Sequence, residues 1–124
     1  MSRGPIERAV RSTIKAGAVL ATPAQGARFS VASVDDNGLV LLLGEKEART
    51  RFTWEALEGV GELLAGGTWI PIGSSYSTDQ SPGTLDAYLK RHVNRATAGW
   101  IAAVLEAAGV IEIDRRRPAR IRKR

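Results

Sequence analysis

The chain has 124 residues, enough for one domain or for two small lobes that share a core. Hydrophobic residues make up 44% of it and charged residues 25%, as in soluble globular proteins, and the absence of cysteine excludes disulfides, thiolate metal sites and a cysteine nucleophile. The formal net charge is +5, and no apolar run approaches the ~20 residues of a membrane-spanning helix, so we expect a cytoplasmic protein without a membrane partner.

The first part of the chain predicts a helix and then a small antiparallel sheet. Residues 5–16 begin with a proline, which suits a first helical turn, and carry one apolar stripe at helical spacing. The Asn37-Gly38 pair between two apolar segments is typical of a tight hairpin turn. Strands are predicted at 29–34, 39–43 and 49–53, and in the last of them Arg49 and Arg51 share one face. Consecutive short strands indicate a small antiparallel sheet or an SH3-like barrel.

A second helix is predicted at 54–64, with Thr53 as its N-cap. Its three glutamates, Glu55, Glu58 and Glu62, fall at i, i+3 and i+7 and therefore share one face. A solvated helix surface accounts for this face better than a metal site does.

A polar loop at 74–83, with the sequence SSYSTDQSPG, is predicted to be a linker. It separates an N-terminal lobe, residues 1–73, from a C-terminal lobe, residues 84–124, and the two lobes can share one core. In the C-terminal lobe Thr84 is expected to cap one helix, and Thr97 to cap a second helix that ends at Gly109.

The last residues predict a basic hairpin. Ile111 and Ile113 share one face in 110–114, and Ala119 and Ile121 share one face in 118–122. This alternation indicates two strands around an arginine tip at 115–117. Residues 90–124 hold ten basic and three acidic residues, a net charge of +7, whereas residues 29–89 hold three basic and nine acidic residues, a net charge of −6. Such asymmetry suggests a polyanion as the partner of the basic end.

The order of helix, short turn, helix and basic hairpin over about the last forty residues resembles the winged helix-turn-helix superfamily, with 54–64 as the preceding helix. The resemblance implies that the helix after Thr97 enters the major groove with Ala98, Ala102 and Glu106 on its outer face. It also implies that the hairpin is a wing that contacts the DNA backbone or the minor groove. The expected fold is therefore α+β, with a sheet or barrel lobe followed by a winged-helix lobe.

One departure from that family weakens sequence-specific recognition. Between Thr97 and Ala108 there is no arginine, asparagine or glutamine, the side chains that make most specific major-groove contacts. We therefore expect double-stranded DNA to be bound through phosphate and shape, by a regulator or accessory protein. RNA ranks lower because no aromatic and basic stacking platform is evident. The predicted nucleic-acid-binding residues are Lys90, Arg91, Arg95, Thr97, Arg115, Arg116, Arg117, Arg120 and Arg122.

The alternative is a protein–protein interaction module or homodimer. It would use the acidic helix 54–64 and the alanine-rich face of helix 97–108. We expect no catalytic residues, because no nucleophile–histidine–carboxylate set, phosphate loop or metal motif is present. No cofactor, metal or small-molecule substrate is therefore expected, and the protein is predicted not to be an enzyme.

Overall fold

The computed structural model describes residues 4–23, 26–44, 46–73, 84–93, 97–116 and 119–124. These residues form a mixed helix and strand fold, which confirms the expected α+β class. The helices are α1 (Pro5–Thr13), α2 (Trp54–Leu63), α3 (Leu85–Lys90) and α4 (Ala98–Ala107). The strands are β1 (Val19–Ala21), β2 (Arg28–Asp35), β3 (Gly38–Leu43), β4 (Ala48–Phe52), β5 (Ile70–Pro71), β6 (Ile111–Asp114) and β7 (Arg120–Lys123).

The first four strands form an open antiparallel sheet in the order β1-β2-β3-β4. The expected alternative of an SH3-like barrel is wrong, because β1 and β4 are the two edges and no strand pairing joins them within the described ranges. The side chains on the inner face of the sheet are buried against helices, and β1 packs on α4. The inner face is therefore covered by helices, whereas in a closed barrel the opposite strands of the sheet would cover it.

The predicted hairpin between β2 and β3 is confirmed, with Asp35 opposite Gly38 and a two-residue turn between them. Gly38 has a φ of 144°, and a Cβ at this position would collide with the carbonyl oxygen of Phe52 in β4. A glycine is therefore needed here for both its backbone angle and the close approach of the next strand.

Helix α1 is shorter than predicted and begins on a carboxylate from α2. It ends at Thr13 because Ile14 is already extended, at φ −102° and ψ 123°, although Ile14 remains buried. The carboxylate of Glu58 accepts hydrogen bonds from the backbone N–H groups of Ile6 at 3.1 Å and Glu7 at 2.8 Å. Glu58 thus caps the N-terminus of α1, where a negative charge is favourable, and does not belong to a solvated acidic face.

Residues on both sides of the predicted linker build a second sheet, of order β5-β7-β6. Strand β5 pairs with β7, with Ile70 opposite Ile121, while the linker itself, 74–83, lies outside the described residues. Helices α2 and α3 also meet, because the Tyr88 hydroxyl donates a 2.6 Å hydrogen bond to the carbonyl oxygen of Ala56. Gly59 leaves the room for this tyrosine, since a Cβ there would collide with its hydroxyl. One buried cluster accordingly joins side chains from both parts of the chain.

Helix α4 lies in the interior of the fold, packed against α1, α3, β1 and β6. Six of its ten residues are buried. A helix that is apolar on nearly every side is stable only when neighbours cover it, and α4 has such neighbours on both sheets.

Candidate nucleic-acid interface

The β6–β7 hairpin presents its charges on one face and its isoleucines on the other. Ile111 and Ile121 are buried, and Ile113 lies opposite Ile121 in the register. On the outer face Glu112 lies opposite Arg122, and Asp114 lies opposite Arg120. The predicted wing is therefore a folded hairpin, and each of the two β7 arginines faces a carboxylate of β6.

These cross-strand neighbours form ion pairs. The Arg122 Nε donates to Glu112 at 3.2 Å, and the Arg120 guanidinium donates to Asp114 at 3.1 Å. Arg116 adds a second guanidinium to Asp114, at 3.1 and 3.0 Å, together with its backbone N–H at 3.0 Å. The hydrogen bonds from Arg116, and then that from Arg120, hold the pKa of the Asp114 carboxyl well below its usual range.

Arg115 joins the hairpin to α4. Its two terminal nitrogens donate to the carboxylate of Glu106 at 2.8 and 2.6 Å, in the bidentate geometry that suits a guanidinium. The hydrogen bonds that Arg115 donates to Glu106 raise the pKa of Arg115. Glu106, expected on the outer face of a recognition helix, instead binds Arg115 at the tip of the hairpin.

Trp69, just before β5, completes the outer face of this sheet. The guanidinium carbons of Arg122 and Arg120 lie 4.5 and 6.0 Å from the centre of its ring. A guanidinium within about 6 Å of an indole face is attracted by the ring electrons. The sequence suggested no such pairing of an aromatic with basic residues, because β5 meets β7 only in the folded sheet.

The N-terminal half of α4 does not have the exposed face that the winged-helix resemblance implied. Thr97 is only 1% exposed, and Ala98 and Ala102 are also buried. Thr97 occupies the N-cap position but makes no capping hydrogen bond through its side chain. The Thr97 side chain is therefore not available for a nucleic-acid contact in this structure, in which α1 and β1 pack against α4.

Of the four other predicted site residues, one is ion-paired, one is exposed and two lie outside the described residues. Lys90 forms a 2.9 Å ion pair with Asp86, one turn earlier in α3, while Arg91 is exposed. Arg95 and Arg117 lie outside the described residues. Lys123 and Arg124 are exposed and form no ion pair with any described residue, so they extend the basic surface beyond the predicted set. Their place at the end of the same basic run was the signal that could have included them.

Within the described part of the chain, no helix is long and apolar enough to cross a membrane, and no three histidine, cysteine, aspartate or glutamate side chains are grouped to hold a metal ion. Comparison with protein-family models, with curated proteins and with solved structures finds no match to this chain.

Proposed function

We propose that this protein binds double-stranded DNA through the outer face of the β6–β7 hairpin, by contacts to phosphates. The observation that carries the proposal is the charge of this small unit. Over residues 111–116 and 119–124 it has six basic and two acidic side chains, a net charge of +4. Phosphate contacts supply most of the affinity of non-specific DNA binding, and guanidinium groups match phosphate geometry.

The ion pairs on the hairpin do not prevent such binding. The arginine side chains of these pairs remain exposed, so a phosphate can reach their free N–H donors without displacing the carboxylates. Each guanidinium has five N–H donors, and Arg120 uses one of them on Asp114. The carboxylates and Trp69 hold the arginine side chains in place, which reduces the conformational entropy lost on binding.

The burial of α4 favours recognition of the backbone over recognition of bases. Helices α2, α3 and α4 and the hairpin follow one another in the order that the winged helix-turn-helix resemblance implies. The helix that would read the major groove is, however, covered by the N-terminal part of the chain. We therefore propose an accessory DNA-binding protein, or a regulator with little sequence preference of its own.

The alternative of a protein interface made from the acidic helix and the alanine-rich face has less support. Ala98 and Ala102 are already buried within the chain, and Glu58 already caps α1. A homodimer that uses other surfaces stays a prediction.

The test is binding of a fluorescein-labelled mixed-sequence duplex, followed by anisotropy over a salt series. Two variants each lose three charges: Arg116→Ala, Arg120→Ala and Arg122→Ala on the hairpin, and Arg28→Ala, Arg49→Ala and Arg51→Ala on the four-stranded sheet. With about four phosphates contacted, the slope of log affinity against log salt should be about −4.

The hairpin variant should bind at least about tenfold more weakly and with a shallower slope, while the sheet variant should change by less than about threefold. Equal losses of DNA affinity in the two variants would mean that binding depends on the net charge of the protein and not on the hairpin. Absence of wild-type binding at low salt would reject the proposal outright.

A further inference from the structure

The outer face of the four-stranded sheet carries a second basic surface. Strand alternation and register place Arg28, Arg49 and Arg51 on this face, opposite the buried Phe29, Val31 and Leu41. All three arginines are exposed. We call this surface, with the apolar residues between them, the outer sheet face.

The arginines of the outer sheet face differ from those of the hairpin strands and tip in having no acidic partner among the described residues. No ion pair links Arg28, Arg49 or Arg51 to a carboxylate in the described ranges. In the same ranges six other basic side chains, on α1, on α3 and on the hairpin, are paired. These guanidinium donors are thus available to a partner without loss of an internal ion pair.

An apolar strip lies between the arginines. Val19 is 63% exposed and is the one exposed large hydrophobic side chain among the residues that the structure describes. It lies in one row across the sheet with Ser30, Leu42 and Arg49. A shallow groove of about 310 Å³, lined by Val19, Ser30 and Leu42, runs beside Arg28. A ligand of this face should therefore combine negative charge with an apolar group.

We propose that the outer sheet face binds an acidic, partly apolar extended segment of a partner protein. Arg49 and Arg51 are two residues apart on one strand, a distance of about 7 Å. Alternate residues of an extended peptide have the same spacing, so two carboxylates can meet both guanidinium groups. A residue two positions beyond these carboxylates lies on the same side of the extended segment and can place an apolar side chain against Leu42.

Nucleic acid fits this face less well than a protein segment does. Base stacking needs an exposed aromatic ring, and the phenylalanines of this sheet, Phe29 and Phe52, are both buried. Glu47 lines the groove beside Arg28 and disfavours any anion there, so the carboxylates of a bound segment should lie at Arg49 and Arg51. Arginines on an edge strand also discourage pairing between sheets, but that role does not account for Arg28 or for the exposed Val19.

The experiment uses the full chain and the fluorescein-labelled peptide Asp-Ser-Asp-Ser-Leu-Ser, in which both aspartates and the leucine lie on one side of an extended chain. Anisotropy gives the affinity, and backbone amide chemical shifts give the location. We expect binding that shifts amides of β1, β3 and β4, and at least about tenfold weaker binding by the variant Arg49→Glu with Arg51→Glu. The single change Arg28→Glu, in another strand, should weaken binding in the same direction, and Val19→Ser should weaken it about threefold.

The control variant Lys123→Glu with Arg124→Glu makes the same change in net charge on the hairpin, and it should alter peptide binding by less than about threefold. The proposal is overturned by equal binding of the same peptide with asparagine in place of both aspartates, by equal effects of the two charge reversals, or by amide shifts confined to the hairpin. It is also overturned if Arg49→Glu with Arg51→Glu abolishes binding of duplex DNA while Lys123→Glu with Arg124→Glu does not.

Discussion

The hairpin and the outer sheet face are both basic, but they offer their charges in different ways. On the hairpin four arginines, Arg115, Arg116, Arg120 and Arg122, are held by carboxylates of β6 or α4. On the outer sheet face the arginines have no such partner within the described residues, and apolar side chains lie between them. The difference shows that a count of basic residues does not describe a surface, because the strand register decides which charges are already neutralised.

Helix α4 supports both surfaces. It packs against β6 beneath the hairpin and against β1 at the edge of the four-stranded sheet. A change inside α4 should therefore disturb both surfaces together, whereas a change on either surface should leave the other intact.

The largest expected effect comes from Ala102→Glu, which places a carboxylate where the side chain is 0% exposed. An uncompensated buried charge costs several kcal/mol, so the free energy of unfolding should fall by at least about 3 kcal/mol in urea denaturation. Ala107→Glu, at the exposed end of the same helix, is the control and should cost less than about 1 kcal/mol. Equal, small losses of stability in the two variants would mean that α4 has an exposed face. The helix would then again be a candidate for insertion into the major groove.

A smaller effect is expected from Asp114→Asn, which releases Arg116 and Arg120 from their shared carboxylate. Removing a negative charge from the face proposed to bind phosphates should tighten binding of duplex DNA about two- to fivefold in the anisotropy assay. Asp36→Asn makes the same charge change beside the four-stranded sheet, and it should leave DNA affinity almost unaltered. Weaker binding by Asp114→Asn would contradict this expectation and would mean that the carboxylate is needed to position the arginines.

Features set by a few neighbouring residues could be predicted from the sequence. Thr53 accepts a hydrogen bond from the Ala56 N–H at 3.1 Å, and Thr84 accepts one from the Ala87 N–H at 3.0 Å, so both predicted caps are confirmed. The turn before Gly38 depends equally on local chemistry. Local signals succeed because the groups that satisfy them are only two or three residues apart.

The burial of α4 and the pairing of the hairpin arginines depend on contacts distant in sequence. The small residues of α4, alanine and glycine, are compatible with either an exposed helix face or a buried one. The presence of a single charged residue, Glu106, in this helix was the available sign of burial. For the hairpin, the predicted tip and the observed register both place Glu112 and Asp114 on the face of the β7 arginines, so their pairing could have been inferred from strand alternation.

The ion pairs of the hairpin also predict a pH dependence that the outer sheet face should not share. The pKa of Asp114 is held below its unfolded value of about 3.9, mainly by hydrogen bonds from Arg116. The stability it contributes is therefore complete above about pH 4 and is lost as the pH falls through the lower folded value. The melting temperature of Asp114→Asn should decline less than that of the wild type between pH 5 and pH 2, followed by circular dichroism. Identical declines would show that this ion pair does not stabilise the fold.

The smallest expected effect is that of Val19→Ser, and it tests whether the outer sheet face is open in solution. Val19 is 63% exposed, so its loss should change the free energy of unfolding by less than about 0.5 kcal/mol. Val31→Ser is the matched change on the inner face, where the side chain is 2% exposed, and should cost about 2–4 kcal/mol. Urea denaturation at two protein concentrations measures both. A large cost at Val19 that grows with protein concentration would mean that a second copy already covers the face, and this chain would then be its own partner there.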